Sequence, residues 1–202
     1  MNPPSQKIDR RSFIATACLA ASVFALDDCD LINNFSIAGA EDNVNQKPEG
    51  KLGEFNFLAG EWKINNRRRK EAGKDEWDTF EGEASCYTIL NGGGSVEDLR
   101  IPARGFFGMG LRLLDIQKKV WNDYWVSGKN GELSVPGQTG TFENGVGTFQ
   151  ADDMDGDRKI KVKGVWDKIT PTSCRWYQAV SWDDGKTWEE NWSMDWTRTY
   201  LA

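Results

Sequence analysis

The chain has 202 residues, with ten tryptophans, no histidine and a formal net charge of −6. Histidine is the usual general base near neutral pH and a common ligand of zinc and haem iron, so its absence argues against much acid–base, metal and haem chemistry. The mild acidity argues against nucleic acid or an anionic membrane surface as the main partner.

The N-terminal segment has the features of an export leader. Arg10 and Arg11, followed by one polar residue and two large apolar residues, resemble the twin-arginine export signal. The apolar stretch at residues 13–26 is too short to span a bilayer comfortably and fits a signal-peptide core. We therefore expect export to the periplasm or the medium, with no integral membrane span.

The end of the leader is compatible with two cleavage sites, after Ala25 and after Ala40, and the second is slightly favoured. The residues before Cys18 lack the leucine-like side chain of a lipobox, so we expect no lipid anchor. The sequence thus predicts three segments: a leader at residues 1–40, a polar linker at 41–53 and a folded domain at 54–202.

From residue 61 onward, short runs of alternating polar and apolar residues are separated by Gly, Asn and Asp, which is typical of β-strands and hairpin turns. The clearest run places Trp188, Trp192 and Trp196 on one face and polar residues on the other. We predict ten strands, at residues 61–70, 76–90, 94–102, 105–116, 119–128, 131–137, 140–150, 158–168, 173–182 and 187–199.

The short connections favour an antiparallel meander, since sequential strands then pair as hairpins. Closing about ten such strands into an up-and-down barrel removes the exposed edges. The predicted fold is therefore an all-β antiparallel barrel, with a two-sheet sandwich as the alternative. Residues 54–59 are expected to form one helical turn that plugs an end of the barrel.

Two local motifs are interpreted as turns. Residues 181–188 match the Asp-box pattern, in which Asp183 accepts backbone N–H bonds, Gly185 takes a left-handed conformation and Trp188 covers the hairpin. Glycosidase propellers carry several such boxes and this chain carries one. The acidic run at 152–157 fails the EF-hand spacing at the first and twelfth ligand positions, which favours a solvated hairpin.

Two further features each leave an alternative open. The basic run at residues 67–70 is interpreted as a solvated strand end, with a phosphate or lipid patch as the alternative. Cys86 and Cys174 lie in predicted strands, and both a disulfide in an oxidising compartment and two buried thiols fit the sequence.

The ends of the folded domain resemble a known family. Residues 55–62 read Phe-Asn-Phe-Leu-Ala-Gly-Glu-Trp, and residues 187–198 read Thr-Trp-Glu-Glu-Asn-Trp-Ser-Met-Asp-Trp-Thr-Arg. With residues 124–125 and 178–181, these segments resemble an uncharacterised bacterial family of calycin-like, lipocalin-like barrel domains. The resemblance covers residues 54–199. It implies the barrel fold and assigns no activity or catalytic residue. Related haem-binding barrels of the nitrobindin type bind iron through a histidine, which this chain lacks, so we expect no haem and no other cofactor.

Three functions are compatible with these features. The first is a binding module for a small apolar or aromatic molecule, since closed barrels of this size can hold one ligand. The second is an enzyme, which without histidine would need a carboxylate or tyrosine as its acid–base group, such as Glu189 or Tyr124. The third is a carbohydrate-binding or cell-envelope interaction domain that uses exposed tryptophans. We favour the first.

The orientation of the last strand determines what kind of pocket the barrel has. If its tryptophans point inward, the pocket is apolar or filled. If its polar face points inward, the barrel has a polar pocket whose side chains are held in place by charge. We expect Glu189 and Asn191 to point inward with Arg112 or Tyr124 nearby, because the polar face is too regular for chance. The candidate ligand-binding residues are Glu189, Asn191, Arg112, Tyr124, Trp125 and Gln178, and no catalytic residue or metal ligand is assigned.

Overall fold

The computed structural model describes residues 48–200, so the predicted leader and most of the predicted linker lie outside the described residues. Ten antiparallel strands follow one another around a closed barrel, and the first strand pairs with the last. This confirms the all-β up-and-down barrel in place of the sandwich. The strands are β1 (Gly60–Arg69), β2 (Trp77–Ile89), β3 (Gly94–Ile101), β4 (Phe106–Asp115), β5 (Val120–Ser127), β6 (Gln138–Glu143), β7 (Val146–Asp155), β8 (Arg158–Asp167), β9 (Ser173–Ser181) and β10 (Glu189–Tyr200).

The strand predictions between residues 131 and 150 are wrong. The predicted strand 140–150 is a hairpin of β6 and β7, which turns at Asn144 and Gly145 with φ of 50° and 78°. Two residues in the left-handed region are what a tight hairpin turn requires, and Asn-Gly adopts them readily. The predicted strand 131–137 is a loop in which Leu133 makes an isolated bridge to Val126.

The helical content of the described residues consists of short 3-10 turns at Asn56–Leu58, Leu90–Gly92 and Pro102–Arg104. Within residues 48–200, no helix has the length and apolar character needed to cross a membrane.

The first 3-10 turn lies in the plug, residues 54–59, which closes one end of the barrel as predicted. The Phe55 ring lies 4.9 Å from that of Trp121 and 5.0 Å from that of Phe142, measured between centroids. The Trp62 indole donates to the Leu58 carbonyl at 2.7 Å, and the Trp121 indole donates to Glu54 at 2.8 Å. The plug is therefore fixed both by aromatic packing and by hydrogen bonds from the strands.

Tryptophan fills most of the barrel interior. Seven of the ten indoles are buried, among them Trp166 and Trp196, whose ring centroids are 5.4 Å apart. Cys86 and Cys174 are also buried and are free thiols, which answers the question of the disulfide. Burial raises the pKa of both thiols, because the thiolate would lose its hydration.

The Asp-box motif forms the turn between β9 and β10, as predicted. Asp183 accepts the backbone N–H of Thr187 at 2.8 Å and its hydroxyl at 2.7 Å. These bonds from Thr187 lower the pKa of Asp183 to about 2. Gly185 has φ of 85°, and its carbonyl accepts the Trp188 indole N–H at 3.0 Å. The side chains of the motif thus have a structural role, since their hydrogen bonds stabilise this turn.

A β-bulge divides β10 into two parts with opposite alternation. The register shifts between Glu190 and Trp192, so that Trp192 pairs with Gln178 while Glu189 pairs with Val180. Directly paired residues share a face of the sheet, so the bulge changes the phase of the alternation at the start of β10. The alternation in the sequence, by contrast, predicts one orientation for the whole strand.

Candidate functional site

Several cavities open at the end of the barrel opposite the plug. One of them, here called the mouth pocket, has a volume of about 270 Å³. It lies where β1 to β4 end and turn, beside the start of β10. Apolar side chains form its floor and charged side chains form its rim; the lining residues are Arg68, Asp78, Phe80, Ile101, Arg104, Phe106, Lys129 and Trp192.

The floor of the mouth pocket is built around the Trp192 indole. The Trp192 ring lies 6.0 Å from that of Phe106 and 6.5 Å from that of Phe80, between centroids. Its indole N–H donates to the Asn66 side-chain oxygen at 3.0 Å, deep in the barrel. This bond and the burial of Ile101 fix the floor, while Phe80 and Phe106 are partly exposed.

The rim of the mouth pocket carries positive charge close to the floor. The Arg68 guanidinium lies 4.9 Å from the centroid of the Trp192 ring, and that of Arg104 lies 4.9 Å from Phe80. Arg104 also donates to Asp78 at 2.5 Å. The interpretation of residues 67–70 as a solvated strand end is therefore wrong for Arg68, because alternation along β1 turns this side chain into the pocket.

The neighbours of Arg68 in the basic run face another aromatic side chain. The guanidinium groups of Arg67 and Arg69 lie 4.1 Å and 4.6 Å from the centroid of the Trp77 ring. Arg69 also donates to the Glu190 carbonyl at 2.8 Å. The cations at 67 and 69 thus pack against one indole, and the run does not form a continuous phosphate or lipid patch.

A second cavity, here called the inner cavity, lies within the barrel beside the loop between β5 and β6 and has a volume of about 40 Å³. Four of the six predicted ligand-binding residues, Arg112, Tyr124, Trp125 and Gln178, line it together. Room of this size holds a few water molecules or one small polar group. Its other lining residues include Gly110, Asp123, Ser134, Gln138, Asp153 and Trp176.

A buried ion pair forms the base of the inner cavity. Arg112 and Glu97 have 1 % and 0 % of their side chains exposed, and Arg112 donates to a Glu97 oxygen. Asp123 lies 3.5 Å from the Arg112 Nε. Burial acts to lower the pKa of Arg112, but the charges of Asp123 and Glu97 outweigh it, so the pKa is raised and the guanidinium stays charged.

Two nitrogen atoms of the Arg112 guanidinium are available to donate hydrogen bonds toward the inner cavity. Its Nε and Nη1 atoms are buried and make no hydrogen bond within the described protein. A Cβ at Gly110 would lie 3.0 Å from Nη2 and 3.2 Å from Nη1 of Arg112, so glycine leaves open the space above the ion pair. Buried donors of this kind require an acceptor, which water or a polar ligand group in the inner cavity would supply.

Asp153 lies at the outer part of the inner cavity and is half-buried. Burial raises its pKa from the ordinary 3.8 to about 6, and the neighbouring charge of Asp155 adds to this effect. Its carboxylate accepts the backbone N–H of Met154 at 2.7 Å. No sequence pattern distinguishes Asp153, since it belongs to an acidic run at a hairpin.

The two remaining predicted residues lie at the start of β10, outside the lining of both cavities. The Asn191 side-chain oxygen accepts a bond from Gln178 at 3.2 Å, which connects it to the inner cavity through one residue. Glu189 accepts the backbone N–H of Gly73 at 2.9 Å and lies 3.5 Å from Arg69. The carboxylate of Glu189 therefore joins β10 to the β1–β2 turn.

The described residues 48–200 contain no group of three or more cysteine or acidic side chains placed to hold a metal ion. The acidic run at 152–157 lies at the β7–β8 hairpin, as the failed EF-hand spacing predicted.

Comparisons with known proteins return no match, either among protein-family models or among curated proteins. The interpretation of the two cavities therefore depends on their own residues.

The buried ion pair can be tested by a double-mutant cycle. Arg112→Met leaves the Glu97 carboxylate buried without its partner, which we expect to lower the free energy of unfolding by about 3–5 kcal/mol. Adding Glu97→Leu removes the unpaired charge and should restore at least about 2 kcal/mol of that loss. Urea unfolding monitored by tryptophan fluorescence measures both values; a double variant as unstable as Arg112→Met would contradict the assignment.

The raised pKa of Asp153 predicts the pH dependence of stability. The folded protein binds this proton more tightly than the unfolded chain, so its contribution to stability is present below pH 4 and is lost as the pH rises through about 6. Asp153→Asn should therefore stabilise the protein at pH 8 by about 1 kcal/mol, a value reduced because the group is partly solvated, and should have little effect at pH 4. Urea unfolding at the two pH values checks this, with Asp152→Asn as the exposed control.

Proposed function

We propose that the protein is an exported, calycin-like barrel that binds a small molecule with an apolar or aromatic body in the mouth pocket. The observation that carries the proposal is a concave floor of Ile101, Phe106 and Trp192 at the unplugged end. Its volume, about 270 Å³, is slightly below the range of about 300–1,000 Å³ that is typical of ligand pockets.

The distribution of packing supports the same site. The plug and the buried indoles fill the other end, so a ligand entering there would have to displace packed aromatic side chains. At the mouth, Phe80 and Phe106 keep part of their apolar surface in water. A ligand that covers this surface gains the free energy of apolar burial without disturbing the core.

Acid–base catalysis is a second candidate function, favoured by one observation. Asp153 has a raised pKa of about 6 and lines the inner cavity near Tyr124, a combination that is frequent at active sites. The inner cavity has about 40 Å³ of room, enough for water or a small group but not for a ring system. Binding in the mouth pocket is therefore the better-supported function.

Carbohydrate binding through exposed tryptophans has less support. The three indoles that are not buried belong to Trp77, Trp182 and Trp188. Arg67 and Arg69 cover Trp77, and the Lys163 ammonium lies 4.3 Å from the Trp188 ring. Cations therefore cover the rings of Trp77 and Trp188, and the Trp182 ring packs against Ile160, Val162 and Val180, which leaves little open face for stacking against a sugar.

Binding at the mouth pocket can be measured with N-phenyl-1-naphthylamine, a neutral aromatic probe whose fluorescence rises in apolar sites. Phe80→Ala removes part of the pocket floor, so we expect the affinity to fall about fivefold to thirtyfold, for a loss of about 1–2 kcal/mol. The full chain is used for every variant, so that any contribution of residues 1–47 is constant.

The matched control is Phe107→Ala, which truncates a phenylalanine that is 48 % exposed and outside the mouth pocket. It should leave the affinity for the probe unchanged. Equal losses in the two variants, or no binding by the unmodified protein, would count against the mouth pocket as a binding site.

The export part of the proposal predicts that residues 1–45, fused to a reporter, carry it out of the cytoplasm. Replacing both Arg10 and Arg11 by Lys should block export, because these paired arginines are the feature by which the leader resembles a twin-arginine signal. Cell fractionation gives the result. A reporter that stays in the cytoplasm with the intact leader would show the localisation to be wrong.

A further inference from the structure

The outer surface of the barrel carries an apolar stripe that is centred on β4. The residues at positions 108, 110 and 112 are buried on the inner face, so the residues between them point outward. All four outward residues are large and apolar: Phe107, Met109, Leu111 and Leu113. The outer face of an antiparallel sheet ordinarily meets water and is polar, so β4 departs from that pattern.

The stripe continues onto the strands on both sides of β4. Leu111 pairs with Val96 of β3, which in turn pairs with Tyr87 of β2. Met109 pairs with Val126 of β5. Directly paired residues share a face of the sheet, so these side chains form one continuous surface. It is here called the outer stripe and consists of Tyr87, Val96, Phe107, Met109, Leu111, Leu113 and Val126.

Water reaches the outer stripe. Tyr87 is 58 % exposed and Phe107 is 48 % exposed, while the other members are partly exposed. The outer face of β8, by contrast, begins with three lysines, at positions 159, 161 and 163. A contiguous apolar surface that contrasts with the rest of a protein in this way marks an interaction surface.

The outer stripe is held in a fixed shape. Its members stand on paired strands, and the Gly128 N–H donates to the Phe107 carbonyl at 3.0 Å. A Cβ at Gly128 would lie 2.1 Å from the Phe107 ring, so the ring rests directly on the backbone of this glycine. A surface that is already ordered loses little conformational entropy when a partner binds.

The charged residues that flank the stripe on β3 are paired within the chain. Asp98 and Arg100 occupy the outward positions of β3 next to Val96, and they form an ion pair. The Arg100 Nε also donates to Glu83 at 3.0 Å. The members of the stripe are uncharged, so two copies can meet there without like-charge repulsion, although each chain has a formal net charge of −6. An uncharged apolar surface is complementary to a second surface of the same kind.

The area of the outer stripe is sufficient for a weak dimer. A stripe about three strands wide and seven residues long covers about 300 Å², because strands lie about 4.8 Å apart and residues about 3.4 Å apart. Two such stripes in contact bury about 600 Å² of apolar surface, which in an interface that is about 60 % apolar corresponds to about 1,000 Å² in total. That area is the lower limit for a specific interface. The closed barrel offers no free strand edge for pairing, so association has to use a face of this kind.

We propose that the outer stripe is a self-association surface, through which two copies of the chain pack β4 against β4 in a weak, symmetric dimer. In such a contact the same patch of both copies meets, so every substitution in the stripe occurs twice. The inference does not depend on the mouth pocket, because the lining of that pocket shares no residue with the stripe.

Sedimentation velocity of the full chain, over about a hundredfold range of concentration, tests the proposal. The mass should rise from 22.8 kDa, that of one copy, toward twice this value. The small area leads us to expect a dissociation constant of about 1–100 μM.

Two substitutions assign the association to the stripe. Leu111→Glu places two carboxylates opposite each other and should weaken the dimer at least about tenfold. Met109→Gln removes apolar surface without adding charge and should weaken it about threefold to tenfold. Thr197→Glu adds the same charge at an exposed position of β10, outside the stripe, and should leave the dimer unchanged. Circular dichroism shows whether each variant folds; if Leu111→Glu does not, Met109→Gln decides the test.

Four results would overturn the inference. The first is a chain that stays monomeric over the whole range, and the second is a dimer that neither Leu111→Glu nor Met109→Gln weakens. The third is equal weakening by Thr197→Glu, which would attribute the effect to net charge. The fourth is a monomer that binds vesicles of neutral phosphatidylcholine and loses this binding in Leu111→Glu, since the stripe would then face a lipid surface.

Discussion

Closure of the sheet is the constraint on which the rest of this structure depends. Because β1 pairs with β10, every strand turns one face toward a single enclosed volume. That volume must be filled, since unfilled space forfeits dispersion contacts with the atoms that line it. The chain fills it with seven buried indoles and with the plug, whose Phe55 contacts four aromatic rings from the strands.

Such close filling leaves room only at defined places. The inner cavity exists where Gly110 supplies no side chain above the Arg112–Glu97 pair. The mouth pocket lies at the end that the plug does not occupy, where the side chains around Trp192 leave a space below the charged rim. Chemistry in this barrel is therefore concentrated at one end, where polar groups and water can meet the apolar interior.

The strand pattern was predictable because period-two alternation directly reflects the two faces of a sheet. Eight of the ten strands lie within about two residues of their predicted bounds, a normal uncertainty for element ends. The errors lie at residues 131–150, where the Asn144-Gly145 turn falls inside a predicted strand. Loop 128–137 contains apolar residues that alternate as a strand would, although its pairing with β5 is limited to one isolated bridge.

The site was less predictable than the fold. Arg112, Tyr124, Trp125 and Gln178 come together at the inner cavity, but their partners Glu97 and Asp153 carry no signal in the sequence. Glu97 shares the inward face of β3 with Leu99 and Ile101, but the alternation does not indicate which cation a carboxylate on that face meets. The bulge in β10 also reverses an alternation that looks continuous in the sequence.

The sequence by itself determined the all-β class, eight of the ten strands, the plug and the turn formed by the Asp-box, because alternation and turn chemistry are local properties of the chain. The tertiary structure alone decided which face of each strand points inward, which charges meet at the mouth, and where space is left. These depend on register and closure, which join residues far apart in the chain, such as Arg68 with Trp192 and Arg112 with Glu97. A shift of register by one residue would reverse every inward-facing side chain, and between β1 and β10, whose pairing closes the barrel, no hairpin turn sets the register.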